Sequence, residues 1–335
     1  MTITLKPLRE QTIVVTGATS GIGLSIAAMA AGRGARVVLV ARSEDDLKKV
    51  RAGIEEAGGR ADHIVADTGR REDMRRVVET TVDRFGGFDT WVNNAGVGAY
   101  ATLCEMSDED HEQIFRTNYW GVVYGSTEAL RHLRRRGGAL VNIGSIASDI
   151  PTPILGAYAA SKHAVKGFTN SLRLELQQEE APVSVTLIKP SGIDTPFPDH
   201  AANRMEEGAS LPPPVYHPDE VAKAVLRAAE VPMREVVIGG AGAMQTAMFG
   251  VLPALTERII RTMFYNTAMD PEKAPKRGED GFSEPGEGGH QLGSDDTWRR
   301  GTSLYTAARL NPGVTAGLAA AAGAAALAAV AARRR

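Results

Sequence analysis

The 335-residue chain is long enough for one large α/β domain or two small ones with a well-buried core. With 43% hydrophobic residues, 23% charged residues and a formal net charge of −2, it reads as an ordinary soluble globular protein, and no basic, aromatic-interleaved stretch argues for nucleic acid. Its single cysteine, Cys104, excludes an intrachain disulfide, and its seven histidines lack metal-ligand spacing, so no metal site is expected.

The N-terminus MTITLKPLRE lacks the apolar core of a signal peptide and runs straight into a strand. With the lone cysteine, this makes a cytoplasmic setting the expectation. Strand and helix patterns then alternate to about residue 240. The run TIVVT (12–16) leads into a helical GIGLSIAAMAAGRG (21–34), and ARVVLVA (35–41) into the charged helix SEDDLKKVRAGIEEAG. HIVA (63–66) precedes a helix from about Arg70 to Phe85, and FDTWVNNAG (88–96) begins as another buried strand. The cationic cluster RHLRRR (131–136) reads as a solvated helix end, because Gly137 and Gly138 follow it as a stop signal. ALVNIGS (139–145), VSVTLIKP (183–190) and REVVIGG (234–240) complete the strands.

Short, nearly all-apolar strands separated by helices predict a doubly wound parallel sheet, a Rossmann-type three-layer α/β/α domain over residues 8–240. Ligands of such a sheet sit beyond the strand C-termini. After it come an apolar helical extension (241–264) broken near Pro253, a Gly-, Pro- and charge-rich stretch (265–302) with the composition of a flexible linker, and an Ala-rich tail (303–335).

The first strand delivers TGATSGIG (16–23). Gly17 permits the tight turn out of the strand, Gly21 lets backbone approach a phosphate, and Gly23 lets the helix pack on the sheet. The helix N-terminus presents free N–H groups to a pyrophosphate, and Ser20 and Ile22 in the same loop join the candidate cofactor contacts. Leu24 stands where a nucleoside-triphosphate loop needs a lysine. At the end of the second strand there is no acid for a ribose, but there is Arg42, whose guanidinium could pair with a 2′-phosphate. NADP is therefore favoured over NAD; the alternative is that Arg42 merely caps a surface helix with Ser43.

YAASK (158–162) holds the one tyrosine of seven with a lysine four residues on. The spacing alone is common by chance, and a half-buried tyrosine beside a solvated lysine would explain it. Together with TGATSGIG, NNAG (93–96), Asn118 and Ser145 in this order, however, the chain resembles the short-chain dehydrogenase/reductase family, in its single-domain branch, over roughly residues 10–240. The resemblance implies an NAD(P)-dependent oxidoreductase acting on a carbonyl or secondary alcohol. It places Asn94, Ala95 and Gly96 beside the cofactor, Asp67 near the adenine, and Pro190, Ile193 and Thr195 of KPSGIDTPF (189–197) against the nicotinamide. The family usually has Gly directly after that proline, whereas this chain has Ser191 and then Gly192.

It also implies a catalytic tetrad of Asn118, Ser145, Tyr158 and Lys162. Tyr158 would give a proton to the forming alkoxide. Lys162, one helical turn on, would draw the phenol down from its ordinary pKa of about 10 and bond the nicotinamide ribose. Ser145 would hydrogen-bond the substrate carbonyl, and Asn118 would hold a water linking Lys162 to solvent.

Residues 196–217 interrupt the periodicity and read either as a lid over an apolar or amphipathic substrate or as a variable surface loop. In the tail, residues 314–332 carry no charge and would span about 28 Å as a helix. Twelve of the 19 are alanine, with only two leucines and two valines to drive insertion. Membrane contact through 314–335, anchored by Arg333–Arg335, thus stands beside a soluble or partner-docking helix. The family resemblance further implies a homodimer or homotetramer through helices near 109–135 and 157–180. A catalytically silent dinucleotide-binding sensor or scaffold, with the tail as its working part, is the competing function.

Overall fold

The computed structural model describes residues 3–275, 280–282, 284–294 and 298–317. Seven runs rich in β-branched residues form the strands β1 (Thr12–Thr16), β2 (Arg36–Ala41), β3 (Arg60–Val65), β4 (Thr90–Asn93), β5 (Gly138–Ile143), β6 (Val183–Pro190) and β7 (Glu235–Ile238). They make one sheet in the order β7-β6-β5-β4-β1-β2-β3, and every pairing is parallel. All residues of β1, β4, β5 and β6 are buried, as a sheet covered on both faces requires.

Helices α1 (Gly21–Gly32), α2 (Glu44–Glu56) and α8 (Asp219–Glu230) cover one face through Ile26, Leu47 and Val225. On the other face α3 (Arg71–Phe85), α5 (Gly121–Arg136) and α6 (Gly156–Gln178) contribute Met74, Leu133 and Leu176. Gly137, in the left-handed region, ends α5 after its three arginines. Ser43 caps α2 by accepting the Asp46 N–H at 3.3 Å. Strand order reverses at β1, which lies between β2 and β4, and a crevice opens at the C-terminal ends of these strands.

Beyond the sheet, α9 (Gly240–Val251) and α10 (Pro253–Thr267) follow one another, with Pro253 opening the second. Ile260 and Phe264 of α10 pack with Tyr100, Ile150 and Leu155. A short helix, α11 (Leu304–Leu310), returns to β7, where Thr306 Oγ1 accepts the Gly239 N–H at 3.0 Å.

The described residues of the stretch read as a flexible linker lie against the domain. Gly281 N–H donates to the His200 carbonyl at 2.8 Å, Gly289 N–H to Thr19 at 2.8 Å, and Gly21 N–H to the His290 carbonyl at 2.9 Å. Asp194, 2% exposed, accepts from Gly293 N–H at 3.1 Å and pairs with Arg299. Residues Arg299–Arg300 add a short parallel strand beside Val215–Tyr216. The glycines serve contact: a Cβ at Gly288 would stand 2.6 Å from Asp46 Cβ, and one at Gly286 would stand 2.6 Å from the His200 ring. Most of the uncharged run 314–332 lies outside the described residues. Among those described, no helix is long and apolar enough to cross a membrane.

Candidate active site

At the end of β1, Gly17 turns the chain at φ +63, and a Cβ there would lie 2.8 Å from Ala95 Cα. A Cβ on Gly23 would overlap the Gly17 carbonyl, so α1 can start this close to the strand only without a side chain. Asn94 braces the turn: its Nδ2 donates to the Thr16 carbonyl at 3.0 Å and the Gly17 carbonyl at 3.1 Å. Its backbone N–H and that of Ala95 donate to Thr16 Oγ1 at 3.0 and 3.2 Å. The crevice above is lined by Gly17, Ser20, Gly21, Ile22, Arg42, Asp67, Ala95, Gly96 and Thr195. A Cβ on Gly96 would come within 3.4 Å of Asn118 Oδ1 and 3.7 Å of Lys162 Nζ, so glycine keeps this part of the floor open.

At the outer end, Arg42 does not cap α2, and three of its five N–H donors are already taken by backbone carbonyls. Its Nη1 donates to the Phe282 carbonyl at 2.8 Å, and its Nη2 to the carbonyls of Gly281 at 2.6 Å and Glu284 at 3.0 Å. Burial holds its guanidinium below the usual arginine range. Asp67 accepts the Gly69 N–H at 2.9 Å and faces Arg116 at 3.6 Å.

The inner end holds the four candidate catalytic residues. Tyr158 lies in the first turn of α6 and Lys162 one turn on. Lys162, 3% exposed, donates to the Ile143 carbonyl at the end of β5 at 2.9 Å, and its Nζ lies 5.6 Å from the Tyr158 ring centroid. Burial pushes the Tyr158 phenol up to about 12, opposed by its hydrogen bond with Ser145. Burial pushes the Lys162 ammonium down to about 8. Desolvation outweighs the Ser145 hydrogen bond, so Tyr158 keeps its proton at neutral pH, and the expected downward pull of Lys162 does not set the phenol's value. Ser145 opens a short 3-10 turn, its Oγ accepting the Ala147 N–H at 3.1 Å.

Asn118 sits in a single π-helical turn, Arg116–Trp120, between α4 (Asp108–Phe115) and α5. Such turns recur at functional sites. Its amide is committed to protein: Oδ1 accepts the Val97 N–H at 2.8 Å, and Nδ2 donates to Val97 O at 2.9 Å and Ser161 Oγ at 3.0 Å. Ser161 in turn donates to the Tyr158 carbonyl at 2.7 Å. Asn118 thus ties the π-turn to the helical turn that carries Tyr158, a link through Ser161 that no motif signalled.

A second cavity contains Ser145, Tyr158, Lys162, Pro190 and Ile193, and meets the crevice at Ile22, Asn94, Gly96, Thr195 and Phe197, which line both. This continuous path from Arg42 to Tyr158 fits an extended dinucleotide whose reactive end reaches the tyrosine. The departure at Ser191–Gly192 is absorbed locally: Ser191 N–H bonds Ile238, and a Cβ on Gly192 would lie 3.1 Å from the Pro212 carbonyl. Much of the second cavity's wall lies outside the recognisable motifs. Leu211–Pro214 come from the 196–217 segment, and Gln245, Met263 and Phe264 from α9 and α10. Phe197 also packs on Tyr158, with ring centroids 5.3 Å apart. Among the described residues no cluster of three or more acids, histidines or cysteines could hold a metal ion.

A sequence profile described as short chain dehydrogenase matches residues 11–206. The chain belongs to the short-chain dehydrogenase/reductase family. It is an oxidoreductase, as are its named relatives. An uncharacterized oxidoreductase, YxnA, from Bacillus subtilis is 43% identical over 320 residues, covering 94% of this chain and 90% of that protein, so the similarity runs well into the C-terminal segment. A 3beta-hydroxysteroid dehydrogenase of Mediterraneibacter gnavus is 36% identical over 58% of this chain and 70% of its own length. An 11-beta-hydroxysteroid dehydrogenase A of Sesamum indicum is 32% identical over 78% of this chain and 77% of its own length. Among solved structures, an alcohol dehydrogenase from Thermococcus sibiricus complexed with 5-hydroxy-NADP superposes with a TM-score of 0.60 at 28% identity, covering 68% of this chain and 95% of that one.

Proposed function

We propose that this enzyme uses NADPH to interconvert a ketone and a secondary alcohol on an apolar or amphipathic ring-bearing substrate, with Tyr158 as the acid/base. The observation that carries the reading is the meeting of Tyr158, Ser145 and Lys162 at the junction of crevice and cavity. When bound, the reduced nicotinamide supplies a hydride for the carbonyl carbon. Tyr158, protonated at neutral pH, gives its proton to the carbonyl oxygen, and Ser145 orients that oxygen through its hydroxyl. Lys162, still largely charged at pH 7, stabilises the phenolate left behind. Gly17, Ser20, Gly21, Ile22, Gly23, Asn94, Ala95 and Gly96 would line the pyrophosphate and inner ribose, with the Gly21 N–H itself held by the His290 carbonyl. Asp67 would meet the adenine, and Pro190, Ile193 and Thr195 the nicotinamide.

The substrate class rests on the cavity wall, where Tyr100, Ile150, Leu155, Leu211, Met263 and Phe264 present an apolar surface. Relatives named hydroxysteroid dehydrogenases support a steroid-like substrate. Arg42, the lack of an acid at the end of β2, and the NADP analogue in the Thermococcus sibiricus structure support NADPH. A homo-oligomer is the expectation that family membership carries.

The test is oxidation of NADPH, and separately of NADH, against aldehydes, aliphatic ketones and steroid ketones. Turnover of bulky ketones with NADPH supports the proposal. Binding of NADPH with no turnover across the panel would favour the silent-scaffold reading.

A further inference from the structure

The C-terminal segment does more than pass the crevice: it is bonded to it at the outer end and at the phosphate loop. At the outer end, the carbonyls of Gly281, Phe282 and Glu284 take three hydrogen bonds from Arg42. At the phosphate loop, the His290 carbonyl takes the N–H of Gly21, the first residue of α1, while Gly289 donates to Thr19. Between these attachments, Gly281, Pro285 and Gly286 form part of the crevice wall. The Phe282 side chain, 8% exposed, is sunk into a cluster with Met106, Ile114 and Ala157 and anchors the strap.

A guanidinium has five N–H donors in a rigid fork. With three held by backbone carbonyls, Arg42 is fixed in one orientation, and two donors are left for a ligand. A free surface arginine would have to be ordered by the ligand at an entropic cost. The strap removes that cost beforehand, and its Gly281, Pro285 and Gly286 supply a side of the crevice that a bound dinucleotide would have to pass.

We infer that the strap, formed by residues 281–282 and 284–290, is a positioning element of the dinucleotide site: it presets Arg42 for an adenosine phosphate and retains the bound dinucleotide. This rests on the reading that Arg42 meets a 2′-phosphate. It places cofactor selectivity partly in a segment that the family profile, ending at residue 206, does not include.

The full-length chain tests it with two variants that loosen the strap at different points. Phe282→Ala removes the buried anchor but keeps the carbonyl. Gly288→Val introduces a Cβ where Asp46 leaves 2.6 Å, lifting the strap from α2. Dissociation constants and dissociation rates of NADPH and NADH are read from nicotinamide fluorescence, and kcat at saturating NADPH from ketone reduction.

Both variants are expected to release NADPH about tenfold faster or more, to narrow the NADPH-over-NADH preference, and to leave kcat unchanged or raised. Unchanged release and unchanged preference in both variants would overturn the inference. So would an equal loss of affinity for both dinucleotides together with a fall in kcat, which marks a merely structural role. If the wild type itself binds NADH as tightly as NADPH, the phosphate reading of Arg42 fails. Retention by the strap is then supported by faster release in the variants and overturned by its absence.

Discussion

The sheet and the C-terminal strap reach the same crevice by opposite means. In the sheet, functional positions are fixed by side chains gripping nearby backbone: Asn94 holds the carbonyls of Thr16 and Gly17, and Lys162 holds that of Ile143. In the strap the roles reverse, and the main-chain carbonyls of Gly281, Phe282, Glu284 and His290 are gripped by Arg42 and by the Gly21 N–H. An element that binds mainly through its backbone leaves most of its side chains unconstrained, asking for one apolar anchor, Phe282, and for small residues where it presses on a neighbour. This is why it reads as a tether in composition and behaves as a wall in structure.

The largest effect should come from the sheet side. Tyr158→Phe keeps the ring against Phe197 but removes the proton, and kcat should fall roughly 10²–10⁴-fold while NADPH titrations stay unchanged. Loss of NADPH binding in that variant would mean the residue is structural and would erase its distinction from the glycine turn. Gly23→Ala is the complementary break: a methyl against the Gly17 carbonyl should weaken dinucleotide binding about tenfold or more and lower the melting temperature. A variant that binds NADPH normally would show the turn to be tolerant.

On the C-terminal side, Phe264→Ala should act on substrate alone. KM for a bulky ketone should rise roughly tenfold, with kcat/KM for a small ketone little changed. Equal losses on both ketones would assign α10 to the fold rather than to selectivity.

The smallest effect is in the pH profile. Lys162 has its value lowered to about 8, so its charge is present below that pH and lost above it, and ketone reduction should decline above pH 8. Tyr158, raised to about 12, stays protonated throughout that range. A flat rate from pH 7 to 10 would show that the ammonium is not needed. For stability the lysine's sign is the reverse: its depressed value disfavours the fold below about 8, and that cost fades as pH rises toward its ordinary 10.5.

The parallel sheet was legible because its strands are unbroken apolar runs. The phosphate turn was legible because close approach at Gly17 and Gly23 tolerates no side chain, which makes glycine spacing informative. The pair Tyr158 and Lys162 could be located but not its electrostatics, since desolvation depends on what lies above α6. Arg42 was found at the right strand end, yet its partners are carbonyls, which every residue possesses and no sequence pattern marks. The same reason hid the strap, while Met263 and Phe264 looked like any helix core.

The Arg42–Phe282 hydrogen bond joins residues 240 apart in the chain. A ribosome delivers the amino-terminal portion first, and such portions begin folding as they emerge, at about 5–20 residues per second. The segments that form the sheet strands, the phosphate turn and the Tyr158 helix are all synthesised before residue 282. The dinucleotide crevice is therefore open-sided throughout most of synthesis and acquires its last wall close to chain termination. A chain cut short before the strap would carry every recognisable motif of the family and still lack a finished site.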